Sequence, residues 1–179
     1  GWRYQPERKD ADLSVTICQV TALRAARDVG IFVPVETIDR SIAYVKRAQN
    51  SDGGFMYTLE GGESAFPRTA AGVVSLYNAG IHEGQEIESG LAFLEKNAPR
   101  PGEFDQSPHF LYGQYYATQA WWYAGGERWK RWYLSLRDPL VSAQAADGSW
   151  LDKIGVEYAT AICCLILQMP NNYLPIFQR

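Results

Sequence analysis

Few residues in this chain have both the type and the spacing that chemistry requires, and most of those stand just ahead of apolar stretches. Asp10 and Asp12 put two carboxylates immediately before the apolar run that begins at Leu13. Neighbouring acids can divide general acid and base roles between them. The same position also suits Asp12 as an N-cap for a helix starting at Leu13. Arg68, His109 and Glu157 occupy comparable places at the starts of later apolar segments. If those segments form parallel helices, the five residues gather on one rim. Mixed acids, a guanidinium and an imidazole at one mouth would make a polar entrance or an acid/base site; the plainer reading is caps and solvated loop residues. Tyr112 and Tyr116, one helical turn apart, are candidates to line such a mouth. The remaining rings (Tyr115, Trp121, Trp122, Tyr123, then Trp129, Trp132 and Tyr133) spread around their helices and read as packing between layers.

Other chemistries lack their residues. The three cysteines, Cys18, Cys163 and Cys164, are not a disulfide framework. Cys163 and Cys164 lie in the apolar run 159–167, where thiols act as small buried hydrophobes. With only His82 and His109 available, no metal-ligand cluster forms. There is no Gly-rich phosphate loop and no Gly-x-Ser-x-Gly elbow, so neither a cofactor nor a metal is implied. A net charge of −3 and a pI near 5.4 argue against a nucleic-acid partner. The longest apolar run falls well short of the ~18–20 residues of a membrane span, and no signal peptide or compartment is indicated. At 179 residues, 46% apolar and 21% charged, the chain reads as one ordinary domain with a real core.

The elements that must position these residues recur. Ile38, Ile42 and Val45 mark one helical face, and a shift of 49 residues reproduces the spacing in Ile87, Leu91 and Leu94. Gln49-Asn50-Ser51-Asp52-Gly53-Gly54-Phe55 returns 95 residues later as Gln144-Ala145-Ala146-Asp147-Gly148-Ser149-Trp150. The period of roughly 45–50 residues predicts repeat units over about 12–58, 64–106, 111–152 and a partial 157–179. Each unit pairs a helix that is apolar all round (13–29, 69–79, 112–124, 158–167) with an amphipathic one (36–48, 85–97, 127–144). A helix apolar on every side must be buried on every side. The prediction is therefore an all-α protein of about seven helices, with inner helices wrapped by outer ones. A straight helical solenoid is the alternative. In the third amphipathic segment, Asp138-Pro139 either starts a fresh helix or kinks a continuous one.

The two Gln-x-x-Asp-Gly-x-aromatic loops resemble the Gln–Trp repeats of the squalene and oxidosqualene cyclases, which share the α/α-toroid superfamily with protein prenyltransferase β subunits. Gly1-Trp2-Arg3-Tyr4 is similar to the tail of a further copy, and Asn97 to Phe104 is a degenerate copy retaining Gly102 and Phe104. In these loops Asp52-Gly53 and Asp147-Gly148 supply the turn. Phe55 or Trp150 packs over it, and the amide of Gln49 or Gln144 satisfies helix-end backbone groups. The resemblance implies an α/α toroid, here roughly half a ring and the C-terminal part of a larger protein. Such an arc would have a missing N-terminal half or self-associate through its open ends. In class II terpene cyclases an Asp-x-Asp-Asp motif protonates the substrate. Asp10 and Asp12 match its first two acids, and Leu13 replaces the last. The zinc ligands of the prenyltransferases and the Cys-Gly-Glu-Gln thioester motif of complement-like relatives are absent. The resemblance thus implies a non-catalytic repeat domain that binds or scaffolds, with an apolar isoprenoid-like ligand or a protein partner. Part of a terpene cyclase acting by Asp protonation is the alternative, and a carbohydrate-active α/α-toroid enzyme is the third reading.

Overall fold

The computed structural model describes residues 1–5, 10–99, 109–174 and Phe177. Among them are seven α-helices: α1 (Leu13–Asp28), α2 (Val35–Arg47), α3 (Phe66–Asn78), α4 (Gln85–Lys96), α5 (Phe110–Ala124), α6 (Gly126–Ser142) and α7 (Val156–Gln168), followed by a 3-10 turn at Met169–Asn171. β-Pairing among the described residues is limited to isolated bridges, Trp2 with Asp12, Gln49 with Phe55 and Thr58 with Gly61. The fold is all-α, as the periodicity requires. No helix among the described residues is long and apolar enough to cross a membrane.

The chain divides into two compact units, Gly1–Ala98 and Pro99–Arg179. In the first, α3 packs against α1, α2 and α4. Every residue of α3 from Thr69 to Asn78 is buried, as an all-round apolar helix demands. α4 buries the expected stripe, Ile87, Leu91 and Leu94, and Gly90 with it. In the second, α5 packs against α6 and α7. Pro139 sits inside α6, which runs as one helix through Asp138. Rings fill the α5–α6 seam: Trp121 meets Trp132, and Trp122 stands edge-on to Trp129, which stacks on Tyr133. The Tyr133 hydroxyl donates to the Leu167 carbonyl at 2.7 Å.

Three expectations are corrected. α1 buries only Leu13, Thr16, Ile17 and Val20, and α7 only Ala159, Cys163 and Ile166. Within their units these two helices have fewer neighbours than α3, and composition does not count neighbours. α2 is turned from its apolar stripe: Ser41, Tyr44 and Val45 are buried, while Ile38 and Ile42 are half-buried. On that buried face the Tyr44 hydroxyl donates to the Ala11 carbonyl at 2.8 Å. Finally, Cys164 is exposed although its neighbour Cys163 is fully buried. Burial pushes the Cys163 thiol up to about 12, so it stays protonated near neutrality. A thiol reagent at pH 8 should modify Cys18 and Cys164 in the native protein and reach Cys163 only after denaturation; mass spectrometry of the labelled peptides checks this.

The loop repeat carries repeated geometry. Asn50 N–H donates to Gly54 O at 2.8 Å, and Ala145 N–H to Ser149 O at 2.8 Å. Asp52 Oδ1 accepts from Gly54 N–H at 2.9 Å, and Asp147 Oδ1 from Ser149 N–H at 3.0 Å. Gly53 and Gly148 take φ values of 86° and 88°, the left-handed region open to glycine. The Gln amides go elsewhere than expected. They bond the turn's own carbonyl, Gln49 Nε2 to Gly53 O at 2.9 Å and Gln144 Nε2 to Gly148 O at 2.8 Å. Gln49 also reaches Glu86 O at 2.9 Å, tying the loop to α4. Phe55 N–H donates to Thr69 Oγ1 at 3.0 Å and Trp150 N–H to Thr160 Oγ1 at 3.1 Å. Trp2 N–H donates to Thr16 Oγ1 at 3.0 Å, which gives the opening segment the same join to a following helix. Gly102 and Phe104 lie outside the described residues.

Candidate functional site

The start of α1 is held from three sides. Asp12 N–H donates to Trp2 O at 2.9 Å and Leu13 N–H to Tyr57 O at 3.0 Å, while Tyr44 anchors the Ala11 carbonyl from α2. These bonds bury Asp12 completely, at 0% exposure. Its Oδ1 accepts from Val15 N–H at 2.8 Å and Ser14 Oγ at 2.7 Å, which is N-cap geometry. Its Oδ2 is buried and has no hydrogen-bond partner among the described residues. Among the described residues, the guanidinium of Arg3 lies beside it, with Nε 3.9 Å away. Arg3 Nη1 meets Asp10 Oδ2 at 3.0 Å, so the guanidinium stands between the two acids. Asp10 is exposed and Asp12 is not. The two carboxylates therefore differ sharply in solvation, as an acid/base pair would, but only Asp10 is open to a ligand.

Two tyrosines share this region. Burial, then the Asp12 charge, pushes the Tyr44 hydroxyl up to about 12. Burial also raises Tyr57, and the Asp12 charge acts in the same direction. Both stay neutral hydroxyls near pH 7, because the ionised form would lose water and face a carboxylate.

Beside the Asp12 centre opens a cleft of about 770 Å³. Residues 1–3, Gln5, Asp10 and Ala11 form one wall, a stripe of α2 the second, and Thr58, Leu59 and Glu60 the third. The α2 stripe is Thr37, Arg40, Ser41 and Tyr44, one face of the helix at i, i+3, i+4 and i+7. Its volume falls in the range of small-molecule sites. The cleft joins segments distant in sequence, and the inward turn of α2 creates its polar wall, so residue spacing alone did not reveal it. The partial signal was the polar 37/40/41/44 stripe.

The other rim candidates have ordinary structural places. Arg68 lies in the first turn of α3, half-buried, with Nη2 donating to Glu63 O at 2.7 Å and Nε buried without a partner among the described residues. His109 is exposed at the N-cap position of α5 with φ 59°. Glu157 is exposed in the first turn of α7, where a carboxylate complements the helix dipole. Tyr112 and Tyr116 stand edge-to-face at 4.8 Å, and Tyr116 is also edge-on to Tyr115 at 4.9 Å. The structure brings Asp10 and Asp12 together about Arg3 in the first unit, while His109, Tyr112, Tyr116 and Glu157 belong to the second. Among the described residues no group of three His, Cys, Asp or Glu side chains is placed to hold a metal ion. No family model matches the sequence, and no curated protein is significantly similar to it.

Proposed function

We propose that this chain is a squalene cyclase/prenyltransferase-like helical repeat domain that binds or scaffolds and has no catalytic activity of its own. The observation that carries this reading is the state of Asp12: fully buried, with Oδ1 engaged by its own helix. An acid that protonates an alkene needs direct access to the substrate and a preorganised, destabilised proton. An N-cap needs neither. The doubled loop geometry at Gln49–Phe55 and Gln144–Trp150 supports the repeat assignment, because the two copies share backbone bonds, Asx turns and Gln-to-carbonyl bonds. Apolar side chains left in solvent around the α1–α2 connection, Val29, Ile31, Phe32 and Val35, offer surface to an isoprenoid-like ligand or a protein partner.

The second reading, a terpene cyclase-like acid at Asp12, rests on its Oδ2, which has no hydrogen-bond partner among the described residues. Incubating the chain with a linear polyprenoid and analysing the extract by gas chromatography and mass spectrometry separates the two. The binding reading predicts unchanged polyprenoid. A cyclised or hydrated product made in proportion to enzyme would overturn it.

A further inference from the structure

The two loop copies share their backbone geometry but not their surroundings. In the first unit α4 covers the loop. Gln49 Nε2 donates to Glu86 O at 2.9 Å and to Ser89 Oγ at 3.1 Å, besides its own turn. A Cβ placed on Gly90 of α4 would come 2.5 Å from Val73 Cγ2, 3.6 Å from the Phe55 ring and 3.7 Å from Gln49 Nε2. The helix thus closes over loop and α3 together, and Gly53, Ala70 and Val73 are buried. In the second unit the loop and α7 repeat this arrangement without its cover. The joining threonines, Thr69 and Thr160, set the register, so Ala161 corresponds to Ala70 and Cys164 to Val73. Gly148, Ala161 and Cys164 are exposed, and Gln144 Nε2 donates only to Gly148 O among the described residues. Beyond α7 the described residues add only the 3-10 turn at Met169–Asn171.

The seated α4 shows what such a face accepts. The helix carries a glycine where it crosses the inner helix, and a first-turn carbonyl and a hydroxyl where it meets the glutamine. Its apolar stripe, Ile87, Leu91 and Leu94, is buried. A primary amide has two N–H donors, and Gln144 spends one on its own turn, so it retains one for an incoming carbonyl. One position differs between the copies. Lys46 pairs with Glu86 of α4 at 2.9 Å, and 95 residues later stands Val141, an exposed aliphatic side chain. The incoming helix should therefore be apolar where α4 has Glu86. A second copy of the chain has no such helix to spare, because α2, α4 and α6 each pack within their own unit. We infer that α7 and the Gln144–Trp150 loop form a docking face for one amphipathic helix of a partner polypeptide, seated on α7 as α4 is seated on α3. The inference rests on reading the chain as a repeat domain that scaffolds, and it names the surface and the kind of partner.

The test titrates the full chain with a synthetic peptide of its own residues 83–98, which contain α4. Binding is read by ¹H–¹⁵N NMR and by the alkylation rate of Cys164, with Cys18 as the internal reference. A lone helix this short is marginal in water, so a Kd of about a millimolar is expected. The inference predicts saturable shifts at the amides of the 144–150 loop and α7, with Cys164 protected in proportion to occupancy and Cys18 unchanged. Gln144→Ala removes one hydrogen bond and should weaken binding about fivefold, and Cys164→Arg should weaken it at least as much. Both side chains are exposed, and the spectra of the variants verify the fold. Within the peptide, Glu86→Leu should bind more tightly and Gly90→Leu should not bind, although leucine is the better helix former. The inference fails if the peptide does not saturate, if the shifts centre on the 49–55 loop, or if the Gly90→Leu peptide binds equally well. Protection of Cys164 on concentrating the chain alone would assign this face to a second copy and overturn the partner. A failed titration leaves the non-catalytic reading intact, whereas polyprenoid turnover would overturn that reading and leave the titration standing.

Discussion

Replacing Phe55 with Ala should destabilise the first unit by about 3–5 kcal/mol, the cost of a large cavity where a buried ring stood. Phe55 has no exposed surface. Its ring lies so close to Gly72 on α3 that a Cβ there would come within 2.7 Å of it, and a Cβ on Gly90 of α4 would come within 3.6 Å. The ring thus stands where the loop, α3 and α4 meet. A double-mutant cycle sharpens the claim. Gly72→Ala alone should be destabilising, because its methyl strikes the ring. In the Phe55→Ala background the same change should become favourable by about 1 kcal/mol, since the clash is gone and only the helix propensity gain remains. Chemical denaturation of the four proteins measures both terms. Additive effects would show that ring and glycine do not share the site.

The second large effect separates the two loop copies. Gly53→Ala and Gly148→Ala both force a Cβ into the left-handed region, a strain of roughly 1–2 kcal/mol. At Gly148 the added carbon meets only Gln144 Nε2, at 3.9 Å. At Gly53 it would sit 2.4 Å from the backbone oxygen of Ser89 on α4. Backbone cannot swing aside as a side chain does, so the loop must part from α4 and give up the Gln49 bonds to Glu86 O and Ser89 Oγ. We expect Gly53→Ala to cost on the order of 3 kcal/mol or more and Gly148→Ala less than half of that. Equal losses would mean that only backbone conformation matters at both turns.

These residues also show what was legible in the sequence. The Asp-Gly turns could be read because their chemistry is local: a side-chain oxygen, a glycine and an aromatic within a few residues. The threonines that receive the aromatic N–H groups could not. Thr16 and Thr69 follow their partners by 14 residues but Thr160 follows by 10, so no fixed spacing marks them. The face of α2 is illegible from hydrophobicity because Ile38 and Ile42 outweigh Ser41, whereas the buried face also carries the tertiary bond from Tyr44 to Ala11, which local spacing does not show. The limited burial of α1 and α7 was illegible for a different reason, since an apolar composition does not show how many neighbours a helix has. At the site, the capping role of Asp12 could be read from its place before Leu13. Arg3 as the cation between Asp10 and Asp12 could not, because it joins through tertiary contact.

The central claim is that Asp12 works as a cap, and the thermal stability of two variants tests it most directly. Asn caps a helix about as well as Asp, so Asp12→Asn should melt close to the wild type. Asp12→Ala loses the acceptor for Val15 N–H and Ser14 Oγ. It should cost about 1–2 kcal/mol, which for a domain of this size lowers the melting temperature by about 2–4 °C for each kcal/mol. An Asp12→Asn protein that melts as low as Asp12→Ala would contradict the account, since the carboxylate charge rather than its capping oxygen would then be what the site requires.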